Sequence, residues 1–486
     1  MPPPICPQRY LEVLQDLILV RLELGEEDAA KLLAAQGAVK LEQLLATAPL
    51  EEKHHLAGKF AGLYQLQVDA LAHTSIPEAL ALAECHRRLT LPQAIPFSLQ
   101  TAQQQLNASD TLVYWHLSPF AITTFLLFRD YPPSALADDK RAALQQRQAF
   151  QQWWQAWQDA RQQPAWHQQM GDRLYQLTQI LDFDRLQQAI ATQIGEVNRL
   201  LLVPHGGLHW LPLDTLLAEG LSDRQASILY LPHVSTSDAI AKPGSFADAS
   251  LTIAGTDPEP LHTQIETTAI AALFQPNIQS LGADTTKTKL KTAIAQGTDI
   301  LQFTGRARYL PDHPYRSAIA LPAGQSLTLG ELATWNLSRV RLICLPTCEL
   351  ASVPPAEATA SGVVTTDPTL GNWATALLAA GATCVLHSLW CVDDLSTSLL
   401  LVRFYELLKA GHAPHPALSQ ARHWLRHLTY AQLAIWQGDR AKQLAAIDPE
   451  CSEALMDAAM VAEIGQTNWG RPPAPTPIPT TGRDLS

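Results

Sequence analysis

From residue 199 onward the chain alternates short apolar runs with helical stretches, and that alternation leaves few folds open to it. The runs are Leu200–Val203, Ile228–Leu231, Leu251–Ala254, Ile300–Phe303, Val340–Leu345 and Cys384–Leu389. Between and after them, residues 261–274, 285–296, 370–380, 394–410 and 415–428 read as helices. An apolar run of four to six residues is too short for an ordinary helix, and without alternation it suits a strand buried on both faces. Such strands separated by helices imply an α/β fold: a parallel-dominated sheet with helices on both faces. In open α/β sheets chemistry gathers at the carboxyl ends of the strands. Val340–Leu345 runs into Pro346-Thr347-Cys348-Glu349, so Cys348 stands at a strand end and is the candidate nucleophile.

The first 198 residues read differently. Leu11, Leu14, Ile18 and Leu22 recur at helical spacing, and Ser75-Ile76-Pro77-Glu78 is a helix start with proline near the first turn. Residues 1–100 are therefore expected to be a helical, repeat-like region. Residues 110–128 read as two strands joined at Ser118-Pro119. Helices are expected from 138 to 198, with Trp153, Trp154, Trp157, Leu174, Leu177 and Leu181 as a packing stripe. The expected division is 1–100, 101–198, a catalytic-type domain at 199–435, a helical extension at 436–470 and a Pro/Thr-rich disordered tail at 471–486. Residues 353–368 are expected to form a long loop directly after Cys348.

Composition excludes several functions. The formal net charge of -12 offers no basic face for nucleic acid. No apolar run reaches the length of a membrane span. The seven cysteines are odd in number and scattered, which fits a reducing cytoplasm better than a disulfide framework. No CxxC pair is present, and His205 and His209 flank Gly206-Gly207 with no third ligand in view, so neither metal nor cofactor is expected. Gly206-Gly207 lacks the Gly-Lys-Ser/Thr of a phosphate loop. The oligomeric state is left open; a protein or peptide partner or substrate is what the family resemblance carried by the following segments implies.

Several segments, taken in order, resemble one family. They are Val203-Pro204-His205-Gly206-Gly207-Leu208-His209-Trp210-Leu211-Pro212-Leu213, Phe303-Thr304-Gly305, Ser326-Leu327-Thr328-Leu329-Gly330-Glu331-Leu332, Leu345-Pro346-Thr347-Cys348-Glu349 and Ser388-Leu389-Trp390-Cys391-Val392-Asp393-Asp394. Phe404-Tyr405, Ala417-Leu418, Ala421 and Trp424-Leu425-Arg426 follow. Together, over about 200–430, they resemble the CHAT proteins, a caspase-like family often joined to tetratricopeptide repeats. The similarity is strongest to the bacterial branch containing the heterocyst-differentiation protease. The resemblance implies the fold of the clan of caspases, separase and gingipains, and a Cys/His dyad that cleaves peptide bonds. It also implies, for some members, activation by a partner sensed through the helical repeats.

The chain departs from that pattern at one decisive position. The family's histidine falls at Arg306, in Phe303-Thr304-Gly305-Arg306. A guanidinium keeps its proton at any working pH. It can favour a thiolate at Cys348, but it cannot deliver a proton to an amine leaving group. Leu350 stands where the family prefers threonine, and the glutamate expected before Gly371 has only Asp367 near its place. The resulting expectation is a catalytically impaired pseudo-protease that serves as a regulatory or interaction module. One alternative is an active cysteine endopeptidase using a displaced histidine, His313 before His387; another is a helical scaffold. Asp393 and Asp394 are candidates for an acidic pocket taking a basic side chain, against the plainer reading of helix capping by Asp394.

Overall fold

The computed structural model describes residues 7–88, 97–163, 166–195, 197–220, 227–234, 244–255, 260–310, 313–346, 373–390 and 392–468. Cys348, Asp367, the 353–368 segment and the 471–486 tail lie outside the described residues. The chain forms two compact units, one mainly from Met1–Ala241, the other from Lys242–Leu310, Tyr315–Ser352 and Ala376–Ser486. No described helix is long and apolar enough to cross a membrane.

The first unit begins with the helices Pro7–Glu23, Glu27–Thr47, Leu50–Lys59, Gly62–Ala72 and Ile76–Arg88. Leu11, Leu14 and Ile18, spaced three and four apart, bury one stripe against Ala30, Ala34, Leu41, Phe60 and Tyr64. A five-stranded sheet follows, made of β1 (Asp110–Leu117), β2 (Ile122–Leu127), β3 (Ser134–Leu136), β4 (Arg199–Val203) and β5 (Ser227–Tyr230) in the order β3-β2-β1-β4-β5. β1 and β2 are antiparallel, and the Ser118 hydroxyl closes their turn by accepting the Phe120 and Ala121 amides at 3.0 and 2.9 Å. β1, β4 and β5 run parallel. The ion pair between Arg199 and the buried Asp110, at 2.5 Å, ties the first matched pair of β1 and β4 and so fixes their register. Between β3 and β4 come the helices Lys140–Arg161, Trp166–Ile180 and Phe183–Gln193, which bury Trp153, Trp157, Leu174 and Leu177.

The second unit holds β6 (Leu251–Ala254), β7 (Ile278–Ser280), β8 (Ile300–Phe303), β12 (Leu342–Leu345) and β13 (Val385–His387) in the order β13-β12-β8-β6-β7. Every pairing in it is parallel. A small antiparallel sheet of β9 (Ala307–Arg308), β10 (Ala318–Ala320) and β11 (Ser326–Thr328) leaves the end of β8. The helices Leu261–Phe274, Asp394–Lys409, Pro414–Arg426 and Tyr430–Leu444 share one core with Leu251, Ile253, Ile300, Leu342 and Cys344.

Each of the six apolar runs coincides with a strand, but they do not form one sheet. β4 and β5 extend the sheet begun by β1, and only the later four runs make the all-parallel sheet. β12 starts two residues later than Val340. Arg341 lies outside it, stacked over Phe246 at 4.0 Å, donating to the Gly244 and Ser245 carbonyls and 3.6 Å from Asp299. An arginine at a strand entrance thus ties three segments together instead of being buried.

Candidate active site

β8 and β12 are central and adjacent. Their register pairs Leu342 with Ile300, Ile343 with Leu301 and Cys344 with Gln302. Beyond the last pair, Cys348 is as many residues past Cys344 as Arg306 is past Gln302. Arg306 leaves β8 through Thr304, whose amide donates to the Ala254 carbonyl at 3.0 Å. The Arg306 carbonyl accepts the Ala320 amide at 2.7 Å, so its backbone is held by β10 while its side chain is exposed.

The candidate histidines are placed differently. His387 closes β13 and pairs with Leu345, the last residue of β12. Its Nδ1 donates to the Ser388 carbonyl at 3.0 Å, and burial pushes its pKa down, partly offset by that bond. His387 is therefore held neutral. His313 is exposed, at the entry to the short turn Pro314–Arg316, and groups with the first unit, not with β8 and β12. Asp393 is the helix cap: its carboxylate accepts the Ser396 amide at 2.8 Å and the Ser396 hydroxyl at 2.9 Å. The capping read for Asp394 thus belongs one residue earlier, and Asp394 is exposed in the first helical turn.

Beneath these strand ends lies a buried polar chain that the sequence does not announce. Gln302 of β8 donates to Glu266 at 2.8 Å and accepts from the Tyr405 hydroxyl at 2.5 Å. Cys344, beside Gln302 on β12, contacts the same Tyr405; burial, then Glu266, pushes its thiol far up, so Cys344 is inert. The chain pins β8 and β12 to two helices. Gln302→Leu would remove the hydrogen bonds that Glu266 and Tyr405 make to its amide, at about 1–3 kcal/mol for each bond lost in the core. Amide exchange at Leu301, Ile343 and Cys344 should accelerate accordingly, and Tyr405→Phe, which takes a donor from the buried Gln302 oxygen, should also cost about 1–3 kcal/mol.

The CHAT domain family matches the chain over residues 171–447, more than half its length. The chain belongs to the CHAT domain family. Comparison with curated proteins found no match. Among solved structures the chain is similar to the Saccharomyces cerevisiae separase–securin complex, at 13% identity and a TM-score of 0.46. That match covers 88% of this chain and 40% of the other, so the chain spans less than half the length of that relative.

The CHAT segment Val203–Leu213 has a clear local logic. β4 ends at Val203, Gly206 takes a left-handed φ of +55°, and Gly206–Trp210 forms a 3-10 turn that buries Leu208 and Trp210. His205 accepts the Leu117 amide on Nδ1 at 2.8 Å and stacks on His116 at 5.1 Å. Its ring thus serves the backbone of β1. Among the described residues no group of three His, Cys, Asp or Glu side chains could hold a metal ion.

The carboxyl edge of β1, β4 and β5 is filled by charged side chains from neighbouring helices. Arg87 donates to the Pro204 carbonyl at 2.7 Å and the Pro232 carbonyl at 3.0 Å, and lies 4.9 Å over the Tyr114 ring. Glu84, fully buried, accepts the Val234 amide at 3.1 Å, 3.9 Å from His233. Burial lifts Glu84 to about 7 against the pull of Arg87 and Arg88, and drops His233 to about 4 with help from both arginines. Arg147 donates to the Ser118 carbonyl at 2.6 Å. The only sequence signal for this plug is Glu84-Cys85-His86-Arg87-Arg88, consecutive polar residues closing an apolar helix.

Proposed function

We propose that this CHAT protein is a caspase-like pseudo-protease, impaired in peptide cleavage and acting as a regulatory or protein-interaction module. The observation that carries the reading is Arg306, an exposed guanidinium three residues past the carboxyl end of β8, the strand paired with β12, which leads to Cys348. A caspase-like dyad needs a proton donor there, and arginine does not give up its proton. His387 supports the same reading because burial lowers its pKa and keeps it neutral.

The test is a mixed peptide pool incubated with the wild-type chain and with Cys348→Ala, with products read by mass spectrometry. The expected result is the same product spectrum for both. Cleavage by the wild type that disappears in Cys348→Ala would replace this reading with that of an active peptidase using a displaced base. His313→Ala and His387→Ala would then identify that base.

A further inference from the structure

The helix Pro7–Glu23 is apolar on two faces, and only one is buried among the described residues. Leu11, Leu14 and Ile18 are buried in the helical core. Tyr10, Val13, Leu17 and Val20, with Leu24 in the turn just past the last helical residue, point outward, each 38–65% exposed. Their spacing is three, four, three, four. That is the repeat by which two α-helices interlock side chains along a seam, with Tyr10, Leu17 and Leu24 at one core position and Val13 and Val20 at the other. A helix apolar all round is ordinarily buried all round, and five large apolar residues in one line are a docking surface and not scattered exposure.

We propose that this face pairs with the same helix of a second copy of the chain, in a parallel two-helix seam about a two-fold axis. Charge favours the second copy. In a parallel seam the residue just before a core position on one helix faces the residue five further on in its partner. Asp16 and Arg21 stand in that relation, so each copy's Asp16 meets the other's Arg21, twice per dimer. Both are exposed or half-exposed, and Arg21 also bonds Glu26 in its own chain, which holds the guanidinium at the edge of the seam. An antiparallel seam would place Asp16 and Arg21 on opposite flanks and lose both pairs. The five side chains would bury roughly 1,000 Å² in total, the lower edge of a specific interface, which fits reversible association in the micromolar range.

Sedimentation of the full chain from about 1 to 200 μM tests this. The expected result is a monomer–dimer equilibrium in the micromolar range, with Val13→Glu plus Leu17→Glu weakening it more than tenfold. Because those side chains are exposed, the far-ultraviolet circular dichroism of the variant should be unchanged. Asp16→Arg should weaken the dimer several-fold, and Asp16→Arg with Arg21→Asp should restore it. A monomer at 200 μM overturns the proposal, as does a dimer indifferent to the Val13 and Leu17 changes. Failure of the reversed pair to restore association overturns the parallel arrangement. A monomer that binds anionic vesicles through this face would assign the stripe to a lipid surface instead.

Discussion

Arg306→His should give the chain Cys348-dependent peptide cleavage at least about a hundredfold above that of the wild type. The size follows from the missing step. General acid–base help is worth roughly 10²–10⁴ in rate, and arginine contributes none of it because its proton stays bound. What arginine does contribute is smaller. An exposed cation about 4 Å from a thiolate in a water-like dielectric is worth about 1 kcal/mol, under one unit of thiol pKa. Arg306 is exposed, so added salt should erase even that part. Two measurements separate the effects. Alkylation of Cys348 by iodoacetamide at pH 7 should slow only several-fold in Arg306→Gln, and that difference should vanish at 1 M salt. Peptide cleavage should appear in Arg306→His alone, with a bell-shaped pH dependence whose optimum lies between the ordinary pKa values of an imidazole, about 6.5, and a thiol, about 8.5. No cleavage by Arg306→His on any peptide would mean that more than the proton shuttle is lost, with Leu350 in place of the family's threonine the next position to restore.

The sequence made some of this legible and hid the rest for physical reasons. Runs such as Ile300–Phe303 and Leu251–Ala254 are strands because a continuous apolar run records burial on both faces. Burial does not record partnership. Leu200–Val203 and Ile300–Phe303 look alike in sequence, yet one pairs with β1 and the other with β6 and β12. β7, β9 and β11 are two or three residues long and carry Gln279, Ser280, Arg308 and Ser326, so no period can emerge from them. Arg306 was identifiable because the preceding Phe303-Thr304-Gly305 sits at a recognisable strand end; its exposure was not. The cap at Asp393 instead of Asp394 is a one-residue boundary shift between equally good capping residues. Glu84 and Arg87 were invisible for a different reason. A charged end to an apolar helix ordinarily faces water, and partners such as the carbonyls of Pro204 and Pro232, more than a hundred residues away, make burial of Arg87 tolerable.

That buried plug should be the most sensitive structural point of the first unit. Arg87→Ala removes two hydrogen bonds at the ends of β4 and β5 and a cation beside a fully buried carboxyl. Breaking a buried charge arrangement from one side costs about 3–5 kcal/mol. Amide exchange should therefore accelerate about a hundredfold or more at Tyr114, Leu201 and Leu229, with little change at Ile253, Leu301 and Ile343 in the other sheet. Glu84→Gln probes the same plug through pH. The Glu84 pKa is raised from an ordinary 4.5 to about 7 on folding, so its contribution to stability is full below about pH 4.5 and is lost as the pH rises through 7. A glutamine stays neutral and can still accept the Val234 amide. Wild type should therefore lose protection relative to Glu84→Gln between pH 5 and 8, by up to about 3 kcal/mol. His233 works in the opposite sense. Its pKa falls to about 4, so its contribution is present above pH 6.5 and lost as the pH falls toward 4. The two groups face each other, which is why the variant comparison, and not the wild-type curve alone, isolates Glu84. Parallel curves for wild type and Glu84→Gln from pH 5 to 8 would mean that Arg87 and Arg88 hold Glu84 ionised throughout, and that the plug is a set of fixed charges with no titrating member at neutral pH.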